Sequence, residues 1–93
     1  MTVKHGDAEW LIEVKMLRRG DAVGAAREAL AQLLAYRHFL YPNGHAHVRM
    51  LAVFNEDIGL ACVGFLEEQN VASVWRDGTG WAGSPTAREA GLC

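Results

Sequence analysis

One nearly continuous apolar run, from Val48 to Phe54 (VRMLAVF), constrains the fold of this chain more than any other feature. Its short length and its β-branched residues favour a strand over a helix. A strand without polar alternation is buried on both faces, which is typical of the centre of a parallel sheet covered by helices. The run therefore predicts an α/β domain with a central strand that is paired along both of its edges.

Composition narrows the class of protein further. The chain has 93 residues, of which 51% are hydrophobic and 22% charged, so we expect one globular domain with a modest core. No apolar run approaches the roughly 18 residues of a membrane span, and the first residues do not resemble a secretory signal. We therefore expect a cytoplasmic protein with no membrane partner. A net charge of −2 argues against a generally basic surface but allows a local basic patch.

The segments around the apolar run alternate between strand and helix patterns. Gly6 and Asp7 are expected at the turn of a first hairpin, and Asp21 is a good N-cap for a long helix. The predicted hairpin, long helix, central strand, second helix and last strand cover residues 1–15, 22–40, 48–54, 55–69 and 71–75. Residues 1–76 are thus expected to form the core, and residues 77–93, rich in glycine, a turn and a loose or short-stranded tail. Asp77 and Gly78 could turn the last strand into a further hairpin toward Trp81.

The tripeptide Glu13-Val14-Lys15 is the first candidate for chemistry. Alternate residues of a strand share a face, so the acid and the amine are about 7 Å apart along the backbone. A carboxylate is a suitable ligand for Mg²⁺, and a neighbouring lysine can stabilise charge that develops on a phosphate. The same pattern is also common in exposed ion pairs at the surface of a hairpin.

A polar line on the long helix is the second candidate. Gln32 and Tyr36 are four residues apart and share a helical face, and Glu28 continues their line one turn earlier. Such a line is often no more than the solvated side of a helix. Here it follows directly on a strand that ends in Glu-x-Lys.

Together these features resemble the PD-(D/E)XK, or restriction-endonuclease-like, nuclease superfamily. The resemblance rests on Trp10 to Lys15 (WLIEVK), on the helix that follows, and on Gln32 to Tyr36 (QLLAY), which is similar to the Gln-x-x-x-Tyr motif of the RecB-like branch. It covers roughly residues 1–75. It implies a three-layer α/β/α core with a mixed sheet, and Mg²⁺-dependent hydrolysis of DNA in a restriction, repair or defence context.

The resemblance also implies roles for individual residues. Glu13 would bind the metal together with the backbone carbonyl of Val14. Lys15 would position the attacking water or stabilise charge. Gln32 and Tyr36 would brace the site or touch the DNA strand.

Two further groups of side chains have alternative interpretations. Arg18, Arg19 and Arg27 flank the expected site and could contact DNA phosphates, although ordinary solvated arginines are an equal alternative. His45 and His47 share a strand face and could bind a metal, but no third and fourth ligand can be named.

The chain departs from the family pattern in one respect. The family has a metal-binding Asp on the strand before the Glu-x-Lys motif. If Gly6 and Asp7 form the hairpin turn, the partner of Glu13 falls before Met1, and Asp7 is about 20 Å away. We therefore expect a core that is incomplete at its N-terminus, with an exposed apolar patch beside the first strand.

Three interpretations of this departure remain open. The chain could be the C-terminal part of a larger protein, or it could need the missing part or a homodimer partner. It could instead be a catalytically inactive remnant of a nuclease fold that binds DNA or a protein. Finally, it could be a small interaction domain in which Glu13 and Lys15 form only a salt bridge.

Overall fold

The computed structural model describes residues 1–44 and 47–93. Within these residues the chain forms one five-stranded mixed sheet and three helices. The strands are β1 (Thr2–His5), β2 (Ala8–Lys15), β3 (Val48–Phe54), β4 (Val71–Asp77) and β5 (Gly80–Gly83), and the helices are α1 (Ala22–Leu40), α2 (Leu60–Glu68) and α3 (Pro85–Glu89). None of these helices combines the length and the apolar character that a membrane crossing needs.

The strands lie in the sheet in the order of the sequence. The three middle strands, β2, β3 and β4, are parallel to one another, while β1 and β5 are antiparallel strands at the two edges. The predicted α/β class is confirmed, and so is the central strand paired on both sides. The parallel arrangement follows from α1 and α2, each of which connects two of these neighbouring strands.

The first hairpin folds as its turn residues predict. Gly6 has a φ of 62°, a conformation that suits glycine and the two-residue turns of hairpins. Val3 lies opposite Trp10, which is the register that a Gly6-Asp7 turn requires. β1 is short and lies at the edge of the sheet.

The start of α1 was predicted correctly, whereas the start of α2 was not. α1 has the predicted bounds, and the Asp21 side chain caps it by accepting a hydrogen bond of 2.9 Å from the amide of Gly24. The prediction that α2 begins after Asn55 or Asp57 was wrong. The Asp57 carboxylate instead accepts a bond from the amide of Gly59 within the preceding loop, and the helix begins only at Leu60.

Both faces of β3 are covered. Successive residues of a strand point to opposite sides, and the residues on each side of β3 pack into a core cluster. Met50, Ala52 and Phe54 join a core cluster with α1 and α2. Leu51 belongs to a second cluster, together with Trp10 of β2. The core therefore lies on two sides of the sheet.

The short-stranded alternative for the tail, with a hairpin turning at Asp77 and Gly78, is confirmed, whereas the loose tail was wrong. β5 pairs with β4, and α3 packs its fully buried Ala87 into the cluster of Trp10. The Ser84 hydroxyl caps α3 and also accepts a hydrogen bond of 3.1 Å from the amide of Ser73. A further bond of 3.0 Å joins the His5 ring to the carbonyl of Ala90.

Glu67 anchors α3 to α2. Its carboxylate accepts hydrogen bonds from the amide of Thr86 at 3.0 Å and from the Thr86 hydroxyl at 2.7 Å. Burial alone would raise the pKa of Glu67. The bonds from Thr86 and the nearby charge of Arg49 outweigh that effect and hold the pKa below its ordinary value of 4.5.

This lowered pKa makes the stability of the tail depend on pH. The stabilisation by Glu67 is fully present above the ordinary carboxyl pKa and is lost as the pH falls through the lowered value. We expect the difference in free energy of unfolding between the wild type and Glu67→Gln to shrink from about pH 7 to about pH 3, as measured by urea denaturation. A difference that stays constant over this range would contradict the role given to the carboxylate.

α3 covers only part of its face of the sheet. Exposed apolar side chains remain beside the first strand and at the end of β2: Met1 is 68% exposed, Val3 41%, Val14 51% and Met16 58%. Exposed apolar side chains therefore lie on β1 and at the end of β2, while a continuous apolar patch beside β1 stays a prediction.

Candidate functional site

Glu13 and Lys15 lie at the C-terminal end of β2, on the face that carries α1. Leu11 has the same strand parity and is fully buried in the core cluster of α1. Lys15 Nζ lies 3.6 Å from Glu13 Oε2, and their side chains are only 21% and 15% exposed. The pair is thus half-buried between strand and helix. It is not the exposed ion pair at the surface of a hairpin that the sequence pattern also allowed.

A second carboxylate reaches the same lysine from α1. Glu28 Oε2 lies 4.0 Å from Lys15 Nζ, and the Glu28 side chain is 70% exposed. Glu28 belongs to the polar line of the helix, but its place in the sequence indicates no role in the site. The contact joins residues 13 positions apart, and only the packing of α1 against β2 brings it about.

Lys15 and Glu28 border an open cavity of about 330 Å³ between the end of β2 and the start of α1, whereas Glu13 adjoins it only through its contact with Lys15. Its charged lining consists of Lys15, Arg18, Asp21 and Glu28, and Val14 also lines it. The cavity therefore offers cationic and anionic groups side by side. Such a mixture suits a phosphate together with a divalent cation better than an uncharged ligand.

The structure does not join Gln32 and Tyr36 to this cluster by hydrogen bonds. Within residues 1–44 and 47–93, neither side chain makes a hydrogen bond or an ion pair to Glu13 or Lys15. Gln32 is half-buried and Tyr36 is 40% exposed. The predicted role of the two residues as braces of the site therefore stays a prediction.

A different tyrosine bonds to β2. The hydroxyl of Tyr41, at the end of α1, donates a hydrogen bond to the carboxylate of Glu9. This bond to an anionic acceptor, together with partial burial, raises the pKa of Tyr41. Glu9 is at the start of β2, at the other end of the strand from Lys15, so this pair is separate from the candidate site.

The three arginines expected to flank the site, Arg18, Arg19 and Arg27, lie in two different parts of the structure. Arg18 lines the cavity of Lys15, and Arg19 follows it with an exposed side chain and a φ of 56°. Arg27 instead lines a groove between α1 and α2, next to Phe65. Arg27 therefore does not flank the candidate site as expected.

The described residues supply few metal ligands beyond the two glutamates. Across residues 1–44 and 47–93, no group of three or more His, Cys, Asp or Glu side chains is arranged to hold a metal ion. Asp7 lies in the hairpin turn, at the far end of β2 from the site. Of the two histidines proposed as an alternative metal site, His45 lies outside the described residues.

No family model matches this sequence, and no curated protein or solved structure is significantly similar to it. The chemistry of the cluster of Glu13, Lys15 and Glu28 is therefore the basis on which a function can be argued.

Proposed function

We propose that this chain is a Mg²⁺-dependent DNA nuclease domain, or the C-terminal part of one, that hydrolyses phosphodiester bonds. The observation that carries the proposal is the pair of carboxylates, Glu13 and Glu28, that share the Lys15 ammonium beside an open polar cavity. An acid that can bind a metal and an amine that can stabilise charge on a phosphate are groups that metal-assisted phosphate chemistry can use.

The donor groups are chemically suited to Mg²⁺. Glu13 and Glu28 provide carboxylate oxygens, and Val14, which lines the same cavity, provides a backbone carbonyl. Mg²⁺ prefers oxygen ligands and commonly binds through one or two carboxylates, with water and substrate phosphate completing its shell. A bound Mg²⁺ would polarise the phosphate and lower the pKa of a bound water.

Three residues of the chain would bind the metal and the DNA phosphates: Glu13, Lys15 and Arg18. Glu13, held in place between β2 and α1, would fix the metal relative to the sheet. The Lys15 ammonium would stabilise the negative charge that grows on the phosphate oxygens during attack. Arg18, at the rim of the cavity, would hold a neighbouring phosphate of the DNA backbone.

The architecture supports the finer assignment of the fold. A hairpin, a long helix, a parallel central strand, a second helix and a further parallel strand follow one another as in the proposed restriction-endonuclease-like core. α1 and α2 cover one face of the sheet and α3 covers part of the other, which gives the arrangement of three layers.

The proposal is tested by incubating the chain with linear and supercoiled DNA in Mg²⁺ and, in parallel, in excess chelator. We expect cleavage in Mg²⁺ alone. Calorimetric titration with Mg²⁺ in the absence of DNA separates metal binding from catalysis. Absence of both cleavage and heat of binding would overturn the proposal.

A second candidate function is a binding module without catalysis. It is favoured by the position of the Lys15 ammonium, which lies 3.6 Å from the Glu13 carboxylate and 4.0 Å from that of Glu28 and therefore competes with a cation for both. Such a module would retain its affinity for DNA or a protein partner in chelator and would not be stabilised against heat by Mg²⁺. The same pair of assays therefore distinguishes the two functions.

A further inference from the structure

A second polar cavity, of about 250 Å³, lies toward the opposite end of the sheet from Lys15. The start of β3, all three helices and the turn after α2 border it, and its polar lining consists of Arg37, Arg49, Glu67, Asn70 and Thr86. Arg49 is five positions before Phe54, the residue of β3 that lies opposite Lys15. Five residues of a strand span roughly 17 Å, so this cavity is separate from the candidate site.

Two arginines make the cavity positive. Arg37 comes from the last turn of α1 and Arg49 from the start of β3, so the two guanidinium groups belong to different elements. Within residues 1–44 and 47–93, neither of them forms an ion pair. In the same described part of the chain, the lining holds these two cations and one carboxylate, that of Glu67, which leaves a net charge of +1.

The Glu67 carboxylate does not occupy the guanidinium groups. Its two oxygens accept their hydrogen bonds from the amide and the hydroxyl of Thr86, at 3.0 and 2.7 Å. Arg49 acts on it only through its nearby charge. Because each guanidinium has five N–H donors, both arginines keep donors for a bound anion.

Stacking holds Arg49 in place beside the cavity. Its guanidinium carbon lies 4.4 Å from the centroid of the Trp10 ring. Trp10 is only 2% exposed, so the ring is a fixed support. A guanidinium that stacks through its face keeps the N–H groups of its edge free, and it loses less side-chain entropy when a ligand binds.

We propose that this cavity binds a phosphate group between Arg37 and Arg49. A guanidinium presents paired N–H donors that match two oxygens of a phosphate. The oxygens of a phosphate are arranged tetrahedrally, so one group can accept from guanidinium groups of two different elements, whereas a planar carboxylate suits a single one. The side-chain amide of Asn70 supplies a further donor. This inference does not depend on the proposed nuclease function.

Titration of the ¹⁵N-labelled chain with inorganic phosphate, followed by NMR at neutral pH and constant ionic strength, tests this proposal. We expect saturable shifts of the indole N–H of Trp10, whose ring lies against Arg49, and of the amides of Asn70 and Thr86. Acetate at the same concentrations is expected to cause no saturable shift. The proposal would be overturned by the absence of saturable shifts with phosphate, or by acetate that binds as tightly.

Substitution of the arginines assigns the binding to this cavity. Arg37→Gln and Arg49→Gln each remove one cation, and each is expected to weaken the binding of phosphate at least about 10-fold. Arg37→Gln keeps the test decisive if Arg49→Gln fails to fold, because it leaves the stacking on Trp10 intact. Folded variants of both arginines that bind phosphate as the wild type does would contradict the proposal.

Arg76→Gln is the matched control. Arg76 also lies over a tryptophan ring, with its guanidinium carbon 5.6 Å from the centroid of Trp81. It follows Trp75, which lies opposite Phe54, so it is at the other end of the sheet from the cavity. We expect this variant to bind phosphate as the wild type does.

Two sources supply this chemistry, namely a phosphate monoester and the backbone of DNA. Two oligonucleotides of one sequence, with and without a terminal phosphate, distinguish them in excess chelator, which prevents metal-dependent cleavage. Displacement of inorganic phosphate by the phosphorylated oligonucleotide alone supports a site for monoesters. Equal displacement by both supports a site for the phosphodiester backbone.

Discussion

The Phe54→Ala variant is expected to lose about 3–5 kcal/mol of folding free energy, a large share of the roughly 5–15 kcal/mol that stabilises a domain of this kind. Phe54 is 1% exposed and ends the central strand β3, where it belongs to the core cluster shared with α1 and α2. Its removal leaves a cavity where the sheet meets both helices. Guanidinium denaturation followed by circular dichroism measures the loss.

Phe65→Ala provides the matched control. Phe65 is 37% exposed on α2, so the same substitution removes less buried surface and leaves no closed cavity. We expect it to cost no more than about 1.5 kcal/mol. Equal losses for the two variants would show that the core is not organised around β3.

The second large effect is expected for Glu13→Gln. The amide keeps the size of the side chain but removes the negative charge that we assign to metal binding. We expect Mg²⁺-dependent DNA cleavage to fall by at least about 100-fold and the heat of Mg²⁺ binding to disappear. Cleavage kinetics and calorimetry on the same preparation measure the two effects.

Glu68→Gln is the control for this substitution. Glu68 is an exposed glutamate at the end of α2 that forms no ion pair with Lys15, and its replacement should change neither quantity. If Glu13→Gln and Glu68→Gln cleave DNA as the wild type does, the activity resides elsewhere. A preserved thermal transition in both variants is required for the comparison.

Local signals were enough to predict much of the architecture. The hairpin depends on Gly6 and Asp7, which lie next to the strands they connect, and α1 depends on Asp21, which caps it directly. The apolar run of β3 lacks polar alternation, which is enough to predict that the strand is buried on both faces. Such features need only neighbouring residues, so a single sequence contains the information.

Features that depend on distant contacts could not be predicted in the same way. Ser84 followed by Pro85 is a favourable N-terminus for a helix. However, contacts with Glu67 and with the sheet hold the short α3 in place, and the sequence does not show that these elements lie beside it. The contact of Glu28 with Lys15 likewise required the packing of α1 on β2. The candidate site was therefore predicted only in the part contributed by the strand.

The bond between His5 and Ala90 joins β1 to the segment after α3, 85 positions later in the chain. During synthesis the N-terminal part of a chain emerges first. Trp10 therefore stays exposed on one face of the sheet until α3 has been synthesised and Ala87 can pack into the same cluster. This face of the sheet is thus covered only when residues 85–90 have folded onto it, and a nascent chain that stops before Pro85 would still present it to chaperones.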